Sequence, residues 1–191
     1  STGFEPYDAS QSPLLSHGRL PEVFTIRDVD HMLRHNDMAG LFPEDVETPS
    51  LAFLQCVGSR DRVRGRNYCS QFCCKATIRL TRRLLHVRPD ARITVHYIDL
   101  QVMGKEFRTF HRRTKDRVRF LQGVPDQVDR GWDENASKIV LRSKDPETGE
   151  AVEYIYDRVV LAIGITPRPQ NADLAELLGA KLDEDGFFAI A

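Results

Sequence analysis

Apolar residues recur along this chain at two spacings, and the spacing changes from one segment to the next. In IRDVDHMLRHN, Ile26, Val29 and Leu33 fall on one helical face, and Thr25 with Asp28 forms an N-cap pair ahead of them. A Pro- and acid-rich loop, LFPEDVETPS, follows; the apolar run LAFLQC then predicts a buried strand. Residues 70 to 87 keep helical periodicity up to a stop signalled by Pro89, and ARITVHYIDL predicts a second strand. MGKEFRTFHRRTKDR predicts another helix and VRFLQG a third strand. KIVLRSKDPETGEAVEYIYD predicts a hairpin turning at Pro146 to Gly149, before the apolar strand RVVLAIG. Strand, loop, helix, strand is a βαβ unit. The fold class is therefore α/β, a Rossmann-like parallel sheet with flanking helices and a β-meander.

Charge narrows the partners. Lys and Arg number 27 against 28 Asp and Glu, so no global positive field draws the chain to nucleic acid or to an anionic membrane. The longest apolar runs fall short of a membrane span and no charged-then-apolar leader opens the chain, which reads as soluble and cytoplasmic.

The chemistry is concentrated in CVGSRDRVRGRNYCSQFCC, residues 56 to 74, which hold all 4 cysteines of the 191 residues. One tight cluster is unlike a secreted disulfide framework, which ties distant parts of a small fold together. The spacing is C-x12-C-x3-C-C. On a regular helix Cys69 and Cys73 share a face while Cys74 lies about 140° round from Cys69, so the four meet one centre only if the helix begins irregularly near Cys73. Zinc commonly takes thiolates from two separated C-x2-4-C knuckles. A four-iron cluster sets its iron corners more widely and suits an irregular thiolate set better. Buried structural thiols are the third reading. Arg60, Arg62, Arg64, Arg66 and Lys75 would offset the charge of a cluster, or line a solvated loop.

The same segment stands where a dinucleotide-binding turn belongs. A Rossmann turn carries G-x-G-x-x-G between its first strand and helix; here it is C-V-G-S-R-D. In a functional NAD(P) reading, Gly58 with Ser59 and Arg60 would make the turn and receive phosphates, and Asp99 after the second strand would receive a ribose. The competing reading of Asp99 is a surface acid at a strand end.

Two short segments bracket this unit. STGFEP at Ser1 and AIGITP at Ala162 are both small-x-Gly-x-x-Pro, and such segments resemble those at which thioredoxin and glutathione reductases leave and re-enter the flavin domain. That resemblance implies the NAD(P)-type domain of a two-dinucleotide-binding-domain flavoprotein, with residues 1–24 as the outgoing crossover, 25–165 as the domain and 166–191 as the return.

FLQCVGSRD, YCSQFCC, YIDLQVMGKEF, VVLAIGITP and DGFF together resemble the flavin-containing subunit of heterodisulfide reductase and the similar subunits of quinone-interacting membrane-bound oxidoreductase complexes. The resemblance runs over most of the chain. It implies an electron-transfer domain of a flavin- and iron–sulfur-dependent oxidoreductase, with a 4Fe-4S cluster on Cys56, Cys69, Cys73 and Cys74. It also implies FAD held outside these residues, and other oxidoreductase subunits or the FAD domain as partners. Relatives carry Arg two residues after the YxD aspartate, where this chain has Gln101. The alternatives are a zinc-stabilised structural or subunit-docking domain, and an NAD(P)-binding domain with a divergent turn.

Overall fold

The computed structural model describes residues 3–102, 104–145 and 148–189. The chain enters through a short strand, β1 (Phe4–Pro6), passes β2 (Val23–Thr25) and turns into α1 (Ile26–His35). The Thr25–Asp28 pair forms a full capping box: the Asp28 N–H donates to the Thr25 hydroxyl, and the Asp28 carboxylate accepts the Thr25 N–H at 2.7 Å. β3 (Ser50–Val57), α2 (Cys73–Val87) and β4 (Arg92–Tyr97) make the βαβ unit, followed by α3 (Lys105–Thr114) and β5 (Val118–Gln122). A second sheet, β6 (Gln127–Arg130), β7 (Ile139–Lys144) and β8 (Ala151–Tyr156), precedes β9 (Arg158–Ile163), β10 (Ile165–Pro167) and α4 (Asn171–Leu178).

The main sheet runs β2-β9-β3-β4-β5 with every neighbour parallel. Its central strands are buried on both faces, which is why β3 and β9 read as continuous apolar runs rather than as alternation. Leu51, Phe53, Leu54, Val95, Val160 and Leu161 are all fully buried; each contributes about 1.5–3 kcal/mol by leaving water. The antiparallel meander β6-β7-β8 lies apart from that sheet and adds β6, a strand the alternation of polar and apolar residues did not announce. Of the expected turn, Pro146 and Glu147 lie outside the described residues; the Gly149 N–H donates to the Asp145 carbonyl at 2.9 Å. Met103, in the segment read as opening the second helix, also lies outside them, and α3 begins at Lys105.

Two differences from the sequence reading matter for the site. The helix expected from residue 70 starts only at Cys73, with Phe72 as its cap residue, so Cys69 and Ser70 belong to the loop. The two small-x-Gly-x-x-Pro segments also meet: β1 and β10 pair antiparallel, with Phe4 opposite Pro167 and Pro6 opposite Ile165. The two ends of the unit are thereby brought together beside the cysteine loop.

Candidate functional site

The parallel strands all point their carboxyl ends at one edge of the sheet, the edge where ligands of open α/β sheets bind. β3 reaches that edge through an irregularity: its register against β9 shifts between Leu54 and Val57, and Cys56 takes a left-handed φ of 63°. The bulge places Cys56 on the lining of a cavity of about 630 Å³, together with Gln55, Gly58, Ser59, Arg60, Ile98 and Val124. Cys73 and Cys74 occupy the first turn of α2, buried, where the positive end of the helix dipole favours thiolate over thiol. Cys69 stands half-buried in the loop between them, its sulfur accepting the Gln71 N–H at 3.4 Å. All four are free thiols.

The electrostatics identify one neighbourhood. Burial pushes the Cys56 thiol up to about 11, with Cys74 and Cys69 adding to the rise and the Arg60 guanidinium opposing it. Burial first, and then Cys56, Cys74 and Cys69, push the Cys73 thiol up to about 12. Cys74 is raised as well, by burial first, while the Gln101 backbone N–H bonded to its sulfur works the other way. The Cys73 thiol points at the Ile163 carbonyl at 3.6 Å and the Cys74 thiol at the Asp99 carbonyl at 3.9 Å. As these side chains stand, no three His, Cys, Asp or Glu groups among the described residues adopt the geometry of a bound metal ion. The donor set nevertheless fits a thiolate-bound centre chemically, and one further observation agrees. Gln55, 1% exposed, keeps both amide atoms without a partner among the described residues, in the wall of the cavity that Cys56 also lines; a buried unpaired amide is uncommon and is one of the features that accompany a functional site.

The residues read as a dinucleotide turn are arranged differently. Gly58, at φ 79°, is required by Tyr7: a Cβ there would lie 2.1 Å from the Tyr7 ring. That ring is 2% exposed, its hydroxyl bonds the Ser12 hydroxyl at 2.9 Å, and the Arg66 guanidinium covers it at 4.8 Å from the ring centre. Tyr7 is therefore packed directly against the backbone of this turn. Ser59 is buried, its N–H turned back to the Cys56 carbonyl at 3.1 Å. Arg60 and Asp99, read as phosphate and ribose groups, form an ion pair with each other. The pair holds the Asp99 carboxyl below the usual carboxylate range, helped by the Gln101 side chain. Gln101 thus reaches both Asp99 and Cys74. Gly164 of the AIGITP segment also touches it, since a Cβ there would lie 2.5 Å from the Ser70 hydroxyl, which accepts the Ile165 N–H at 3.0 Å.

Sequence reasoning did not find Tyr7 or Gln55 as parts of the site, although it had marked Gln101 as a departure. Tyr7 lies 51 positions before Gly58 (58 − 7) and no local pattern links them; Gln55 carries a signal that could have been used, as a polar residue inside the apolar run LAFLQC.

No family model matches the chain. The A-subunit of the "H(2):CoB-CoM heterodisulfide,ferredoxin reductase" from Methanothermobacter marburgensis is 33% identical over 194 residues, covering 98% of this chain and 29% of that protein. The chain is similar over nearly its whole length to part of the heterodisulfide reductase A-subunit. In Methanosarcina acetivorans, the A-subunit of the "Ferredoxin/F(420)H(2)-dependent CoB-CoM heterodisulfide reductase" is 33% identical over 196 residues, covering 100% of this chain and 24% of its own length. In Methanocaldococcus jannaschii the iron-sulfur A-subunit of the CoB--CoM heterodisulfide reductase is 31% identical, covering 98% of this chain and 29% of its own. This heterodisulfide-reductase-like chain thus spans between about a quarter and a third of the length of these relatives. Among solved structures, the thioredoxin reductase of Lactococcus lactis superposes with a TM-score of 0.52 at 15% identity, over 99% of this chain and half of its own. The L-lysine 6-monooxygenase of Pseudomonas syringae superposes with a TM-score of 0.54 at 12% identity, over 97% of this chain and 50% of its own. These likenesses carry the fold, that of thioredoxin-reductase-like proteins with two dinucleotide-binding domains. The relatives and these neighbours are oxidoreductases by name.

Proposed function

We propose that the chain is the nucleotide-type domain of a heterodisulfide-reductase-like oxidoreductase and relays electrons through a 4Fe-4S cluster on Cys56, Cys69, Cys73 and Cys74. The observation that carries this reading is the gathering of every thiol of the chain at one sheet edge, in mutual electrostatic contact, where a fold of this class would hold a dinucleotide. A bound cluster of this type supplies one-electron transfer. The residues present do the rest. Cys56 and Cys73, with affinities for protons raised to about 11 and 12, give those protons up on binding, so loading releases protons and strengthens as pH rises. The first turn of α2 stabilises the thiolates of Cys73 and Cys74. Cys73 and Cys74 are buried, while Cys56 and Cys69 are half-exposed. FAD belongs, in this proposal, to the remainder of the protein, and that domain or further subunits exchange electrons with this one. The Tyr7 ring packed against Gly58 and the pairing of Arg60 with Asp99 speak against the NAD(P) reading.

The test is anaerobic reconstitution of the wild-type chain and of the four single Cys→Ser variants, followed by absorption. A broad band near 400 nm in the wild type, weakened or lost in each variant, is expected. A wild type that stays colourless under conditions that load known ferredoxins overturns the proposal.

A further inference from the structure

We infer that Arg60 is the positioning residue of the cysteine centre, held by an ion pair with Asp99 that latches the cysteine loop across the end of the sheet. The inference rests on the cluster reading above and assigns to Arg60 and Asp99 a role in shaping that site rather than in holding a nucleotide.

The geometry is specific. Arg60 has φ 55°, a left-handed conformation that a side chain with a Cβ adopts only when its surroundings hold it there. Two bonds do so. Its backbone N–H donates to the Tyr68 carbonyl at 2.9 Å, closing the loop on itself, and its guanidinium pairs with the Asp99 carboxylate. Asp99 lies two residues beyond the end of β4, and its carbonyl oxygen faces the Cys74 sulfur. Its carboxylate also takes a hydrogen bond from Gln101, whose own N–H is directed at Cys74. One ion pair therefore joins the loop between Cys56 and Cys69 to the main-chain groups around Cys74.

The remaining ties of the loop are local or point elsewhere. Asp61 and Arg66 exchange backbone bonds of 2.8 and 2.9 Å and close its tip; Arg66 reaches Gln11 at 3.1 Å and the Tyr68 hydroxyl reaches the Ile165 carbonyl at 2.7 Å. Those bonds fasten the loop to β10 and the entry segment. Among the bonds described for residues 59–68, the Arg60–Asp99 pair is the one that crosses to the segment after β4.

The pair is part-exposed, with the Arg60 side chain 25% and the Asp99 side chain 47% accessible. Pairs of that exposure contribute little to global stability, so its importance lies in placement. It holds a guanidinium on the cavity that Cys56 also lines, close enough to lower the proton affinity of Cys56 and Cys74; a positive charge there favours the more negative, reduced form of a thiolate-bound centre and so holds its potential up. The carboxylate of Asp99 moderates that charge while fixing its position.

Arg60→Gln, Arg60→Lys and Asp99→Asn separate these effects in the full chain. In metal-free protein, Arg60→Gln and Asp99→Asn should raise amide exchange across residues 60–68 by roughly fivefold, with the melting temperature nearly unchanged. In reconstituted protein, Arg60→Gln should lower the reduction equilibrium about tenfold, a fall of about 59 mV for one electron. Arg60→Lys should restore most of that potential, and Asp99→Asn, which leaves the guanidinium unheld, should lower it in the same direction as Arg60→Gln but less far, because a negative charge is lost with the latch. Unchanged exchange in Arg60→Gln overturns the latch whether or not the chain loads iron. Faster exchange with an unchanged potential reduces the pair to a structural tie and overturns the positioning role. A chain that takes up no iron overturns the cluster reading instead, and the exchange arm still decides the latch.

Discussion

His96 shows how far a single buried side chain can bend the behaviour of the whole fold. It is fully buried on β4, with its Nε2 3.0 Å from the Tyr156 hydroxyl and its ring edge-on to Tyr154 and Tyr156. Burial pushes its ionisation down from 6.5 to about 4. The unfolded chain therefore binds the proton first, so stability is present above pH 6.5 and is lost as pH falls from there towards 4, by roughly 3 kcal/mol in all. Urea unfolding at pH 7.5 and pH 4.5 should show that loss in the wild type and a much smaller one in His96→Gln; equal losses in the two proteins would refute the assignment. Gly58 gives a second residue-scale expectation. With φ 79° and the Tyr7 ring 2.1 Å from where a Cβ would stand, Gly58→Ala should cost roughly 2–4 kcal/mol. Adding Tyr7→Ala should recover part of the loss, because the clash is removed while the backbone strain remains; a purely additive double mutant would show that the two do not meet.

Among the elements, the seam between the main sheet and the meander depends on Asp157. Its carboxylate, buried at the start of β9, accepts the Ser50 N–H at 2.8 Å and the Ser50 hydroxyl at 2.6 Å and pairs with Lys138 beside β7. Although burial alone would raise its ionisation, Lys138 and Ser50 together hold it below the usual range. Asp157→Ala leaves Lys138 and Ser50 without their acceptor and should cost about 3 kcal/mol, read as a lower denaturation midpoint at pH 7; a loss under about 1 kcal/mol would mean that water replaces the carboxylate there. The elements around this seam were legible in the sequence to different degrees. α1 announced itself through Thr25 and Asp28, β3 and β9 through apolar runs, and the hairpin through the turn residues between its strands. β6 did not, since Gln-Val-Asp-Arg has one buried side chain and finds its place only by pairing with β7. The start of α2 was misplaced by three residues because Ser70 and Phe72 fit the helical period although the backbone is not yet helical. In the site, the cysteine set was readable because cysteines are rare and their spacing is local. The packing of Tyr7 against the turn and the pairing of Arg60 with Asp99 were not, because both join positions far apart in sequence through tertiary packing.

For the molecule as a whole, the edge of the sheet that serves dinucleotides in this fold class is given over to thiols. The 191 residues contain no G-x-G-x-x-G turn, and the one βα turn in its place lies under Tyr7. Titration calorimetry of the chain with FAD, NADH and NADPH should accordingly show no saturable binding tighter than roughly 1 mM, about −4 kcal/mol. Tight binding of NADH that Asp99→Ala abolishes would return Asp99 to a ribose and take the edge away from the thiols.

The central claim, that these four thiols hold an iron–sulfur cluster, is tested most directly by measuring iron, acid-labile sulfide and zinc together in anaerobically purified and reconstituted chain. The predicted result is about four irons and about four sulfides per chain with little zinc. One zinc per chain without sulfide, under conditions that load known ferredoxins, would contradict it and make the cysteines a structural metal site.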